Sequence, residues 1–198
     1  MKTSKKTIYN KFCREKIKKA TDFEAWTDGS CNNFSPYGEG GAAYVILKDG
    51  VPIHEAKHGY LCTSNNRMEL LAIISAVNWT PAKSSLTIYS DSQYAIKVLS
   101  GMWGAKKNTD LIRLYDTIAS KLSFIRFVWV KGHAGHEWNE YVDELASSQT
   151  EKIVAQYNIP TYGFQNSPKI KNRNLCGIKR QSKKHKNTNN YSFNLRNM

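Results

Sequence analysis

Four carboxylates are the first residues to weigh: Asp28, Glu69, Asp91 and Asp143. Each falls at or near the end of an expected secondary-structure element. Asp28 follows an alternating apolar and aromatic run, Phe23 to Thr27, in the turn-like segment Asp28-Gly29-Ser30. Glu69 lies near the start of a long apolar helix. Asp91 follows the short buried run Leu86 to Tyr89, and Asp143 is early in the last helix. Four carboxylates gathered at one edge of a sheet repel one another and take up protons unless cations sit among them. Oxygen-only ligands suit Mg²⁺ or Mn²⁺ and not zinc. Two such ions form a clamp for in-line phosphodiester hydrolysis, one preparing the attacking water and the other stabilising the leaving oxygen. Singly, each acid has an ordinary explanation. Asp-Gly makes turns, an acid early in a helix suits its dipole, Asp91 could cap the following helix, and Asp143 could be a solvated helix acid.

The elements that must position these acids follow from pattern. Gly40 to Lys48 contains Ala-Ala-Tyr-Val-Ile-Leu and reads as a buried strand. Asp49-Gly50 is a hairpin turn, and Val51 to Tyr60 is the returning strand. With the Phe23 strand they predict a three-stranded antiparallel meander. Ser64 offers an N-cap for a helix over 66–79 that stops at Pro81. After the Leu86 strand a short helix with Tyr94, Ile96, Val98 and Leu99 breaks at Gly101. Asn108 or Thr109 caps the next helix, in which Leu111, Leu114, Tyr115, Ile118, Ala119 and Leu122 keep the 3.6-residue period. Phe124 to Val130 is the last strand. A Gly/His loop, Lys131 to His136, leads into a final helix from about Glu137. The order is written βββαβαβα. Strands separated by helices pair in parallel, so the expected fold is α/β, a mixed five-stranded sheet with helices packed on it.

Charge divides the chain differently. The net charge is +13. Residues 1–20 carry +7 and residues 165–198 carry +9, leaving −3 for 21–164. A folded domain over 22–157 is therefore expected between a basic N-terminal arm, 1–21, and a basic tail, 158–198. The tail's composition cannot bury a core and reads as disordered. Basic arms of this kind gather a protein onto polyanions by releasing counterions. The four cysteines, Cys13, Cys31, Cys62 and Cys176, form no CxxC pair, which suits a reducing compartment and argues against a disulfide scaffold or zinc site. No apolar run approaches the ~18 residues of a membrane span, and the basic N-terminus lacks the apolar core of a secretory signal. A cytoplasmic setting without a membrane partner is the default.

Together the motifs resemble type 1 ribonuclease H. The matching segments are Thr27-Asp28-Gly29-Ser30, Ser64-Asn65-Asn66-Arg67-Met68-Glu69-Leu70, Ser90-Asp91-Ser92-Gln93-Tyr94, and Trp129-Val130-Lys131-Gly132-His133-Ala134-Gly135-His136 with Asn139 and Asp143-Glu144-Leu145-Ala146. The resemblance covers about residues 22–150. It implies a ribonuclease H-like fold and an endonuclease that hydrolyses the RNA strand of RNA–DNA hybrids, leaving 5′-phosphate and 3′-hydroxyl ends. By the same resemblance Asp28, Glu69, Asp91 and Asp143 hold two Mg²⁺ ions, with Mn²⁺ as an alternative. Asp28 bridges both ions, Asp143 joins it at the ion that prepares the water, and Glu69 and Asp91 complete the other. His133 moves a proton or helps product leave.

The resemblance gives Asn65 and Gln93 the reading of 2′-OH groups and minor-groove base edges, and makes Ser64 a contact for a DNA phosphate. The 2′-OH is the group that separates RNA from DNA at each sugar. Sugar and phosphate contacts carry no direct sequence information, so cleavage is expected to tolerate sequence. Two departures stand out. Cys31 to Tyr37 replaces a Gly/Pro-rich turn, leaving open which of Asn32 and Asn33 touches substrate. Only seven residues, Gly101 to Lys107, stand where many relatives carry a long basic helix and loop, and Trp103, Lys106 and Lys107 are what remains of it. The basic arms are the expected substitute for that grip. No obligate protein partner is implied and a monomer is expected. Competing readings are a catalytically silent hybrid binder, a metal nuclease of DNA junctions, and the ribonuclease H part of a reverse transcriptase.

Overall fold

The structure, a computed structural model, describes residues 21–160. The two basic arms therefore lie outside the described residues, apart from their innermost positions. Nine elements follow one another: β1 (Phe23–Cys31), β2 (Gly40–Lys48), β3 (Val51–Tyr60), α1 (Asn65–Trp79), β4 (Ser85–Ser90), α2 (Gln93–Leu99), α3 (Thr109–Ala119), β5 (Phe124–Trp129) and α4 (Glu137–Gln156). Two helices, α2 and α3, separate β4 from β5, so the full order is βββαβααβα. The strands form one sheet in the order β3-β2-β1-β4-β5. The first three pair antiparallel, and β1–β4 and β4–β5 pair parallel, as the element order predicts.

β2 shows why the sheet has two covered faces. Ala42, Tyr44 and Ile46 pack into the large core with α1, whereas Ala43, Val45 and Leu47 pack against Leu145, Ala146 and Val142 of α4. A strand buried on both sides reads as an unbroken apolar run. Helix α1 is buried continuously from Met68 to Val77, because the sheet covers one side and α3 the other. Helix α3 keeps the one-sided pattern of a surface helix, with Leu111 and Tyr115 buried. Asp49 and Gly50 both take positive φ, 53° and 76°, the hairpin turn that an Asp-Gly pair favours.

Two local expectations are corrected. β1 runs on past Asp28 to Cys31 and stays paired with β2 there, through Asp28↔Ala43 to Cys31↔Gly40. Only its pairing with β4 ends near the acid. Ser64 occupies the N-cap of α1 but makes no side-chain capping bond. The backbone N–H of Asn65 instead donates to Asn33 Oδ1 at 3.2 Å, so a neighbouring loop supplies the acceptor. Among the described residues no helix is long and apolar enough to cross a membrane.

Candidate active site

Strand register brings the first two acids together. The parallel β1–β4 ladder ends at Trp26↔Tyr89. Asp28 and Asp91 lie two residues beyond that pair, and side chains two apart on a strand share a face. Beneath them the rings of Trp26 and Tyr89 stack, with centroids 4.3 Å apart and planes 9° from parallel. Glu69, one turn into α1, reaches the same edge from the opposite layer. Its backbone is held there by Gly29, where no side chain intervenes. Ligand oxygens of Asp28, Glu69 and Asp91 lie within 4.8 Å of one another.

Helix α4 brings the fourth acid. Asp143 adds its charge to both Asp28 and Asp91. On its other side Asp143 forms a second cluster with His133 and Glu140, again with ligand atoms within 4.8 Å. His133 Nδ1 is 3.7 Å from Glu140 Oε2 and 3.8 Å from Asp143 Oδ2. The His133 side chain is 78% exposed and its backbone takes φ 51°. The loop thus presents the ring at the mouth of the site.

Electrostatics records the crowding. Burial, then the charges of Asp91 and Asp143, push the Asp28 carboxyl up to about 7. Burial, followed by Asp28 and Asp91, raises Glu69 well above the usual carboxylate range. Asp91 is raised too, by burial and by Asp143, while His133 and Asn139 oppose the rise. Glu69 Oε2 is buried without a hydrogen-bond partner. A buried carboxylate oxygen lacking a donor, facing two more carboxylates, suits a divalent cation bound through oxygen.

The expected substrate residues surround this cluster. Asn65 Nδ2 donates to Glu69 Oε1 at 3.4 Å, and Gln93, exposed at the start of α2, accepts from Lys97 Nζ at 2.9 Å. Asn32 is consumed internally: Nδ2 donates to Glu39 Oε1, and Oδ1 accepts from the N–H groups of Phe34 and Ser35. Both asparagines are exposed, and Asn33 is the one that reaches α1. The sequence reading gave no role to Glu140, although its place three residues before Asp143 puts the two on one helix face. It also gave none to the link from Trp129 Nε1 to the Asp91 carbonyl, 3.0 Å.

Comparison with known proteins agrees with the geometry. The family described as RNase H matches residues 20–151. A ribonuclease H of Jannaschia sp. is 42% identical over 141 residues, covering 63% of this chain and 88% of that protein. One from Aromatoleum aromaticum is 38% identical, covering 67% of this chain and 93% of its own. Among solved structures, the N-terminal RNase H domain of a Mycobacterium tuberculosis protein, fused to maltose-binding protein, aligns with a TM-score of 0.59 at 20% identity. That alignment covers 70% of this chain and 99% of the other, and shows the shared fold. The chain belongs to the RNase H family of nucleases, with the ribonuclease H-like fold.

Proposed function

We propose that the protein is an endonuclease that hydrolyses the RNA strand of RNA–DNA hybrids at the edge where Asp28, Glu69, Asp91 and Asp143 meet. The observation that carries this reading is the set of Asp28, Glu69 and Asp91 oxygens within 4.8 Å of one another, with Glu69 Oε2 buried without a partner. Asp28, Glu69, Asp91 and Asp143 would hold two divalent cations, Mg²⁺ by preference and Mn²⁺ as the alternative, with Asp28 shared. Bound there, the ions supply an activated water and charge stabilisation for the leaving 3′ oxygen. The expected products carry 5′-phosphate and 3′-hydroxyl ends.

The chain's own groups do the rest. His133, exposed beside Asp143 and Glu140, moves a proton or eases product departure. With Nδ2 turned to Glu69, Asn65 keeps its Oδ1 to accept from a ribose 2′-OH. Gln93 spends Oε1 on Lys97 and keeps its NH₂ to donate to minor-groove acceptors. The Ser64 hydroxyl, unused as a cap, is left for a DNA phosphate. The domain occupies 22–157, and the arms, 1–21 and 158–198, supply the backbone grip that the short Gly101–Lys107 segment does not. No membrane or obligate protein partner enters this reading, and the working form is a monomer in the cytoplasm.

End analysis of the cut RNA tests the chemistry. Fragments with 5′-phosphate and 3′-hydroxyl termini, formed only with Mg²⁺ or Mn²⁺, are expected. Cyclic phosphate or 3′-phosphate ends, or cutting in the presence of chelator, would contradict metal-held hydrolysis.

A further inference from the structure

We propose that Glu39 is a positioning residue for substrate: its buried carboxyl pins Asn32 and so sets Asn33 against the start of α1, where Asn33 Nδ2 donates to the minor-groove side of the hybrid. The proposal deepens the reading of this edge as the face that meets the hybrid, and rests on it. Glu39 stands one residue before β2 and is only 2% exposed, in a loop whose residues Asn32 to Phe34 are exposed. Its Oε2 is buried without a hydrogen-bond partner. Burying a carboxyl with one oxygen unpaired costs stability, and an apolar side chain of the same shape would serve packing better.

The other oxygen carries the role. Glu39 Oε1 accepts from Asn32 Nδ2 at 3.0 Å, and the Asn32 backbone N–H donates to the Glu39 carbonyl at 3.0 Å. Asn32 Oδ1 accepts from the N–H groups of Phe34 and Ser35, both at 3.2 Å, the local turn that asparagine favours. The Asn32 side chain is thus held at both ends, and the turn it makes aims the next residue. Asn33 Oδ1 accepts from the Asn65 backbone N–H at 3.2 Å. The far end of the loop is tied to the segment that leads into α1. There the Cys62 N–H donates to the Tyr37 carbonyl at 2.8 Å, and the Thr63 N–H to the Gly38 carbonyl at 2.9 Å. The loop therefore keeps its place relative to Asn65, whose side chain bonds Glu69. With Oδ1 spent on α1, the exposed Asn33 amide has its NH₂ left to donate, and the minor groove of a hybrid offers sugar and base acceptors.

The test is steady-state cleavage of an RNA–DNA hybrid by the full-length protein in Mg²⁺, with thermal unfolding of each variant beside it. Glu39→Met keeps the bulk and removes the acceptor, and should raise KM about fivefold, the size of one lost hydrogen bond, with kcat within about twofold. Glu39→Gln keeps an acceptor for Asn32 and should hold KM within about twofold of the unsubstituted protein. Asn33→Ala should raise KM as Glu39→Met does, and the two together should raise it no further, because residues acting through one contact are not additive. Should Glu39→Met not fold, Asn32→Ala, at an exposed position, removes the same hydrogen bond and takes its place in the comparison. A lower melting temperature with KM unmoved would make Glu39 a packing residue and overturn the proposal, as would KM losses that multiply in the double variant. No cleavage of the hybrid by the unsubstituted protein would overturn the reading of the site, and the proposal with it.

Discussion

Gly29 and Glu69 meet backbone to backbone: a Cβ on Gly29 would overlap the Glu69 amide nitrogen and stand 2.8 Å from Met68 Cβ. The glycine that follows Asp28 thus sets how near the start of α1 can come to β1, and with it the spacing of Asp28 and Glu69. Gly29→Ala should cost about 1–3 kcal/mol by overpacking and lower hybrid cleavage at least tenfold by pushing Glu69 off the cluster. Gly59→Ala is the contrast, since its Cβ would meet Ile153 Cγ1 at 2.6 Å, an atom of a side chain that can shift. It should lower stability and leave turnover nearly intact. Melting curves beside initial rates decide this, and equal activity losses in both variants would contradict it.

Crowding of the acids predicts an unusual pH dependence without metal. The Asp28 carboxyl rises from 3.8 to about 7 in the fold. Between those values the native state binds more protons than the unfolded chain, so stability falls as pH rises. The contribution is fully present below about pH 4 and lost as pH passes 7. Glu69 and Asp91 shift in the same direction and add to the effect. In chelator, the melting temperature should therefore decline from mildly acid to mildly alkaline pH, and Mg²⁺ should flatten the decline. Asp28→Asn, inactive, should be more stable than the unsubstituted protein at pH 8 without metal. A less stable Asp28→Asn at that pH would contradict the assignment.

Arg67 ties three helices together. Its guanidinium meets the Asp110 carboxylate through two bonds, 2.8 and 3.1 Å, and Asn108 Oδ1 at 3.3 Å, while Asn108 Nδ2 donates to Tyr94 at 3.1 Å. The pair is only partly buried, with side chains 25% and 50% exposed. A double-mutant cycle of Arg67→Met and Asp110→Asn should give a coupling of about 0.5–1 kcal/mol in denaturant unfolding. A coupling near zero would show the pair to be screened.

The arms make a separate prediction. Residues 165–198 hold nine Lys and Arg and no acid. Deleting 161–198 should weaken hybrid binding and reduce the slope of log affinity against log salt, since each phosphate contact contributes about −0.9 to that slope on duplex DNA. The same slope before and after deletion would remove the tail from the grip.

Much of this was legible in the sequence because the decisive signals are local. The alternation before Asp28, the Asp-Gly turn, the apolar run after Asn66 and the strand before Asp91 each announce an element. Parallel pairing of the later strands followed from element order, but that β4 lies beside β1, which sets Asp28 beside Asp91, comes from the strand order of the sheet. What was not legible depends on contacts between distant segments. Asn33 replacing Ser64 as the acceptor for Asn65, the extension of β1 along β2, and the hold of Trp129 on Asp91 all depend on packing that no local pattern encodes. Glu140 was within reach through its spacing from Asp143, but an acid three residues from another on a helix is too common to single out.

The most direct test of the central claim is a cleavage assay. An RNA–DNA hybrid labelled on the RNA strand is incubated with the protein and Mg²⁺, beside single-stranded RNA, duplex RNA, duplex DNA, Asp28→Asn and a chelator control. The expected result is cutting of the hybrid's RNA strand alone, abolished by the substitution and by the chelator. Hybrid binding without cutting in either Mg²⁺ or Mn²⁺ would make the protein a silent binding module, and cutting of DNA would contradict the assignment of substrate.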